Sequence, residues 1–330
     1  MIFSLAITGP TASGKTALSL DLAERLGCEI ISCDSMQIYK GMDIGTAKAT
    51  VAERERVPHH LIDFLSPNEN YSVESYRASA IECAKDITSR GRLPLFVGGT
   101  GLYIDSVSRA EAQDAPESDP EYRERLLSEI KTEEDVTALW ERLREVDPLS
   151  AEKIHKNNIK RVIRALEIYD KTGKPKSQLD TESIEREGEV FVGMITLDFH
   201  DRELLYRRVD TRVDIMMEEG LLDEVKALYG AGLLSSGTAS AAIGYKELIE
   251  YLEGRASLSE AVENLKLASR RYAKRQLTWF RHEKGARVIY ADTPDGKMKS
   301  AEELLSEALV HTGDLRCEFE TMKGNRDEGL

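Results

Sequence analysis

The sequence predicts an α/β fold, a parallel sheet flanked by helices and interrupted by a small all-helical insertion. Three observations lead there. The stretch Gly9-Pro10-Thr11-Ala12-Ser13-Gly14-Lys15-Thr16 fits the pattern G-x-x-x-x-G-K-[ST] between an apolar run and a helical stretch. Strand-like and helix-like segments alternate over the first third of the chain. Residues 121–173 then carry helical periodicity with no strand candidate.

The elements follow in order. Residues 2–7 read as a short buried strand, residues 17–26 as a helix, and residues 29–33 as a second strand that stops at Asp34. Residues 72–90 carry apolar positions at helical spacing and end at Gly91, and residues 93–97 form a third strand running into Gly98-Gly99-Thr100-Gly101. With the glycine loop, this order makes the sheet P-loop NTPase-like. Residues 110–120, acidic and with two prolines, read as a linker. Helices are expected at 121–131, 133–145 and 158–171, with a polar stretch at 174–188. Strand character returns at 189–197 and ends at Asp198; the chain is then helical from 202 to about 283, with a last strand at 286–290. The expected organisation is a core at 1–112, a helical insertion at 113–188, a return to the core at 189–313 and a disordered tail at 314–330.

Composition narrows the class. The 330 residues are 41% hydrophobic and 32% charged, as in an ordinary globular protein, and no apolar run reaches membrane-span length. The start lacks a basic leader region, so a cytoplasmic location is expected. Cys28, Cys33, Cys83 and Cys317 form no C-x-x-C pair and read as reduced thiols. A net charge of −14 argues against indiscriminate nucleic-acid binding but leaves room for a local basic face.

The loop states the chemistry first. Backbone N–H groups and a helix N-terminus make an anion cradle, Lys15 reaches the outer phosphate, and the Thr16 hydroxyl suits Mg²⁺. Asp34 ends the second strand at the sheet edge where ligands bind, followed by Ser35, Met36 and Gln37. It could turn the strand end or sit near a metal, and it could equally be a general base. Gly98-Gly99-Thr100-Gly101 allows close backbone approach with one exposed hydroxyl, or forms only a tight turn. Phe96-Val97 ends in glycine rather than an acidic residue. Asp198 could supply that acid but lies far along the chain, so a motor ATPase or switch GTPase is disfavoured.

Two basic stretches stand out in so acidic a chain. Lys160, Arg161 and Arg164 fall on one side of a helix. Lys266, Arg270 and Lys274 form one i,i+4 row and Arg271 and Arg275 another, with no acidic residue between Glu263 and Glu283. Such rows repel by ~0.2–0.5 kcal/mol per pair unless an anion joins them. They point to a polyanionic partner, with Val262, Leu265, Tyr272 and Trp279 expected to pack inward.

In sum these motifs resemble the bacterial tRNA dimethylallyltransferases, also called tRNA isopentenyltransferases. The matching runs are GPTASGKT, DSMQIYKGMDIGTAK, PHHLID, VGGTGLY, NNIKRVIRALE, RVDIMMEEGLLDEV, AIGYKEL and YAKRQLTWFR, in family order over nearly the whole chain. The resemblance implies transfer of a dimethylallyl group from dimethylallyl diphosphate to the exocyclic amine of the adenosine 3′ of a tRNA anticodon. It implies that residues 9–16 hold the diphosphate, with Mg²⁺ at Thr16 and Arg212 as a further cation. It implies Asp34 as the base, Thr100 and Ser35, Met36 and Gln37 around the adenosine, and Lys15 at the leaving group. The tRNA anticodon stem-loop would be met by Lys160, Arg161, Val162, Ile163, Arg164 and Arg123; the basic rows add Arg270, Lys274 and Arg275. The chain resembles the short bacterial form, without the zinc-finger-like extension of eukaryotic relatives, and is expected to act as a monomer with no obligate protein partner. Two other readings stay open: a P-loop small-molecule kinase, and a non-enzymatic, nucleotide-gated RNA-binding protein.

Overall fold

The computed structural model describes residues 1–109, 119–185, 188–234 and 238–327. The chain forms two compact units, one of Met1–Ser108 with Glu189–Leu330 and one of Arg109–Gly188. The first begins with β1 (Ile2–Thr8), α1 (Lys15–Leu26), β2 (Cys28–Ser32), α2 (Val51–Arg56), β3 (His59–His60), α3 (Val73–Ser89), β4 (Leu93–Gly98) and α4 (Gly101–Ser108). The second holds α5 (Pro120–Glu129), α6 (Glu133–Val146), α7 (Pro148–Lys153), α8 (Ile159–Thr172) and α9 (Lys176–Glu185). The first unit resumes with β5 (Val190–Asp198), α10 (Arg202–Glu218), α11 (Leu221–Gly230), α12 (Tyr245–Leu252), α13 (Leu258–Arg281), β6 (Arg287–Tyr290) and α14 (Ala301–Asp327). The linker expected at 110–120 lies mostly outside the described residues.

The six strands run in the order β3-β2-β4-β1-β5-β6, every pair parallel. Parallel sheets need cover on both faces, which is why β2 is buried along its whole length. One face packs on α1 and α14 through Leu5, Leu18, Leu22, Leu95 and Leu315; the other packs on α3 and α4 through Ala6, Ile31, Tyr76, Phe96 and Ile104. A separate apolar cluster joins Ile38, Tyr39 and Met42 to α10, α11, α12 and α13, and so supports the loop that follows β2. The register pairs Thr8 with Gly98 and Ser32 with Val97, so three neighbouring strands end at one edge.

The C-terminal tail is a correction. Residues expected to be disordered from 314 continue α14 to Asp327. Leu304, Ala308, Leu315 and Phe319 are buried at helical spacing, and the Phe319 ring lies 5.2 Å from Phe3 and 5.4 Å from Phe191. Charged neighbours mask that stripe in the sequence, and Gly313 interrupts it at a cost of about 1 kcal/mol, which the packing offsets. The polar stretch after Gly173 likewise contains a helix, α9.

Candidate active site

The phosphate loop, Asp34 and Thr100 spring from the shared strand edge, and α10 and α13 add the remaining polar side chains. β1 runs into the phosphate loop, where Gly9 adopts φ +137° and a Cβ would sit 2.7 Å from the Leu197 carbonyl oxygen. Only glycine fits so close to β5. The Ser13 hydroxyl oxygen is buried without a partner among the described residues, as expected of a donor aimed at an absent anion. Lys15 bonds its own loop, at the Pro10 carbonyl.

Two residues on, β2 leads to Asp34, whose Oδ1 accepts from the Met36 N–H at 2.9 Å and the Gln37 N–H at 3.4 Å. The neighbouring β4 leads to Thr100, whose N–H donates to the Cys33 carbonyl at 3.1 Å while its Oγ1 accepts from the Ser35 N–H at 3.1 Å. The loops carrying Asp34 and Thr100 are thus bonded to each other. Beneath them the Tyr76 hydroxyl donates to the Ser32 carbonyl at 3.0 Å and lies 2.7 Å from the Cys33 Sγ.

Asp34, Ser35, Met36 and Gln37 line a cleft of about 970 Å³, together with Gly98, Gly99, Lys15, Thr16, Arg208, Arg212, Tyr272, Arg275 and Gln276, and Thr100 stands directly behind that lining, bonded to Ser35. Its lining also has an apolar part, with Met36, Val213, Met216, Leu221 and Ile243. Burial pulls the Lys15 ammonium down to about 7; the Arg212 charge adds to this and Asp34 opposes it. Burial also lowers Arg212, again against the Asp34 carboxylate. Two half-buried cations and one carboxylate thus meet in the cleft beside the phosphate loop, a charge set suited to binding an anion. Burial raises the Tyr272 hydroxyl to about 12, against the lowering influence of the nearby Thr100 hydroxyl.

Several residues that sequence reasoning passed over hold this arrangement. Arg208 donates its Nε to the Ala12 carbonyl at 2.9 Å, where Ala12 has φ +62°, so it pins the strained turn of the phosphate loop. Gln276 bonds both the phosphate loop and the Thr100 loop. Glu224 accepts the N–H groups of Asp43, Ile44 and Gly45 at 2.8–3.0 Å and the Tyr245 hydroxyl at 2.5 Å, and so fixes the loop after β2. A usable signal existed for Arg208, which lies one helical turn before Arg212.

Other candidates fall elsewhere. The Gln37 amide donates to the Thr46 and Ala47 carbonyls at 3.2 Å each, so it braces its own loop. Asp198 is buried and held by Arg281 through two bonds of 2.7 Å. Arg270 grips both oxygens of Asp210 at 2.6 and 2.7 Å, and Lys266 pairs with Asp214 at 2.7 Å, so α10 neutralises those two cations of the α13 row. Lys274, Arg275 and Arg271 stay exposed, and so does Trp279, which had been expected to pack inward. Within the helical unit Lys160 and Arg161 are exposed, whereas Val162 and Ile163 are each 1% exposed and form its core. Those two cannot present side chains to a partner. Arg123 and Arg164 both pair with the buried Glu167, at 2.6 and 2.9 Å.

The comparisons with known proteins meet this geometry. The family model described as IPP transferase matches residues 37–283, and one described as isopentenyl transferase matches residues 3–63. The chain belongs to the tRNA dimethylallyltransferase family. The tRNA dimethylallyltransferase of Bacillus cereus is 50% identical over 294 residues, covering 89% of this chain and 91% of that protein. That of Geobacillus thermodenitrificans is 52% identical over 280 residues, covering 84% and 87%. The crystal structure of the full-length tRNA isopentenylpyrophosphate transferase from Bacillus halodurans is 41% identical, with a TM-score of 0.70 over 98% of this chain and all of that one. No helix among the described residues is long and apolar enough to cross a membrane.

Proposed function

We propose that the chain transfers the dimethylallyl group of dimethylallyl diphosphate to N6 of the adenosine immediately 3′ of a tRNA anticodon. The observation that carries this reading is the cleft itself. It is lined by the phosphate loop with Lys15, Arg208 and Arg212 and by Asp34, and Asp34 and the Thr100 behind it follow neighbouring strands at the same sheet edge.

In this reading the loop of residues 9–16 and Arg212 bind the diphosphate, and the apolar lining takes the prenyl chain. Asp34 receives a proton from the exocyclic amine as nitrogen bonds the allylic carbon. The carbon–oxygen bond breaks, and its electron pair leaves with the diphosphate, where Lys15 and Arg212 stabilise the charge. Asp34 Oδ1 is held by two backbone N–H groups, which leaves Oδ2 to face the amine. Thr100 and Ser35 position the adenine. The target base must leave its stack to enter, which costs least in a single-stranded loop.

In this reading Thr16 would hold Mg²⁺. Thr16 is exposed at the start of α1, and among the described residues its hydroxyl makes no bond, while no cluster of three or more His, Cys, Asp or Glu side chains is placed to hold an ion. An ion held by Thr16 and the diphosphate would neutralise leaving-group charge. Lys160 and Arg161 from the helical unit, and Arg271, Lys274 and Arg275 from α13, supply cations for the tRNA anticodon stem-loop. Every residue lining the cleft comes from the unit of Met1–Ser108 with Glu189–Leu330.

The test is incubation with tRNA and labelled dimethylallyl diphosphate without ATP, followed by nuclease digestion. Label in N6-dimethylallyladenosine is expected. Absence of label in the RNA overturns the reading, and phosphate transfer from ATP to a small molecule would replace it with a kinase.

A further inference from the structure

Strand pairing between β1 and β4 ends at Thr8 and Gly98, and beyond that point the two chains diverge into separate loops. One loop holds phosphate and the other carries Thr100. A single side chain continues the pairing. The Thr11 N–H donates to Gln276 Oε1 at 2.8 Å, and Gln276 Nε2 donates to the Gly99 carbonyl at 3.0 Å. Gln276 is 5% exposed and projects from α13 between the buried Ala273 and Leu277.

The two partners fix the amide's orientation, because Thr11 offers a donor and Gly99 an acceptor. Among side chains of this length only glutamine answers both. A glutamate would keep the first bond, lose the second and set a carboxylate against the Gly99 carbonyl. Gly99 has been shaped to the same contact: a Cβ there would lie 2.0 Å from Gln276 Nε2.

We propose that Gln276 is a positioning residue that fixes the spacing between the diphosphate cradle and the Thr100 loop, and so sets the allylic carbon against the acceptor amine. The proposal rests on the reading of the two loops as donor and acceptor sites. Gln276 acts through the two loops it joins. Its effect lies on transfer once both are bound, where an error of about 1 Å costs on the order of 100-fold in rate.

The experiment compares Gln276→Leu, Gln276→Glu, Gly99→Ala and the Gln276→Leu/Gly99→Ala double variant with the unaltered chain. Three quantities are read: the single-turnover transfer rate, the Kd for tRNA alone and for inorganic diphosphate alone, and the melting temperature. The expected result is a rate lowered about 10- to 100-fold in each single variant, with both Kd values close to those of the unaltered chain. Gly99→Ala displaces the same amide, so the double variant is expected to be no slower than its slower parent. Three results overturn the proposal: rates within about twofold of the unaltered chain, losses that multiply in the double variant, or a rate loss that follows one Kd or the melting temperature. Transfer by the unaltered chain in the same assay separately tests the functional reading, so the two failures are distinguishable.

Discussion

Lys15 turns back on its own loop, its Nζ donating to the Pro10 carbonyl at 2.6 Å. It does so in a cleft where burial and Arg212 have lowered its ammonium to about 7. The free site therefore holds fewer protons than an unfolded chain between that value and the ordinary lysine range near 10.5. Within that window this group's contribution to folding stability rises with pH, and below it the whole penalty of the buried charge is present.

Anion binding reverses the balance. A diphosphate favours charged Lys15, so above about pH 7 binding takes up a proton and weakens as pH rises. Calorimetry with inorganic diphosphate near about pH 8, in buffers of different ionisation enthalpy, is expected to show an uptake approaching one proton beyond that of Lys15→Met. Equal uptake by both proteins would show that Lys15 does not charge on binding.

Asp34→Asn separates chemistry from architecture. The amide oxygen can still accept from Met36 and Gln37, so the turn survives, while the proton acceptor is gone. Single-turnover transfer is expected to fall by about 10²–10⁴-fold, with tRNA binding retained. A near-normal rate would remove Asp34 from the role of base.

What the sequence revealed here divides along a physical line. The phosphate loop, Asp34 and Thr100 follow strand ends, and strand alternation is local information, so their meeting at one edge was legible. The partners of α13 were not. Asp210 and Asp214 neutralise Arg270 and Lys266 from a helix about sixty residues earlier, and no local period encodes that contact. Val162 and Ile163 illustrate a second limit, since a motif adjacent to cations does not say which of its side chains face inward. Gln276 is a third case, because a polar side chain on an otherwise apolar face has meaning only once both loops beside it are placed.

The exposed row of α13 makes a prediction about salt. Among the described residues Arg271, Lys274 and Arg275 have no acidic partner in an ion pair, and they lie on the solvent side of the helix. Replacing all three with glutamine is expected to reduce the slope of log affinity for tRNA against log salt by about two, at ~0.7 per lost phosphate contact. Arg270→Gln is expected to leave that slope alone and to lower stability by up to about 1 kcal/mol through loss of Asp210. Equal slopes for the triple variant and the unaltered chain would make the row a solvated face.

Asp198 ends β5 beside the phosphate loop, where a nucleotide hydrolase would keep an acid for its metal. Here both of its oxygens are taken by Arg281, and Oδ1 also accepts the Phe199 N–H at 2.6 Å. The carboxylate is buried and the guanidinium partly exposed, so the two losses differ in kind. Arg281→Met strands a buried acceptor and is expected to cost about 1–3 kcal/mol, read as a lower melting temperature. Adding Asp198→Asn removes the stranded charge, and part of that stability should return. Because Asp198 serves packing, Asp198→Asn is expected to keep a single-turnover transfer rate close to that of the unaltered chain. A loss as deep as that of Asp34→Asn would instead place Asp198 in the chemistry, with Arg281 as the group that releases it when donor binds.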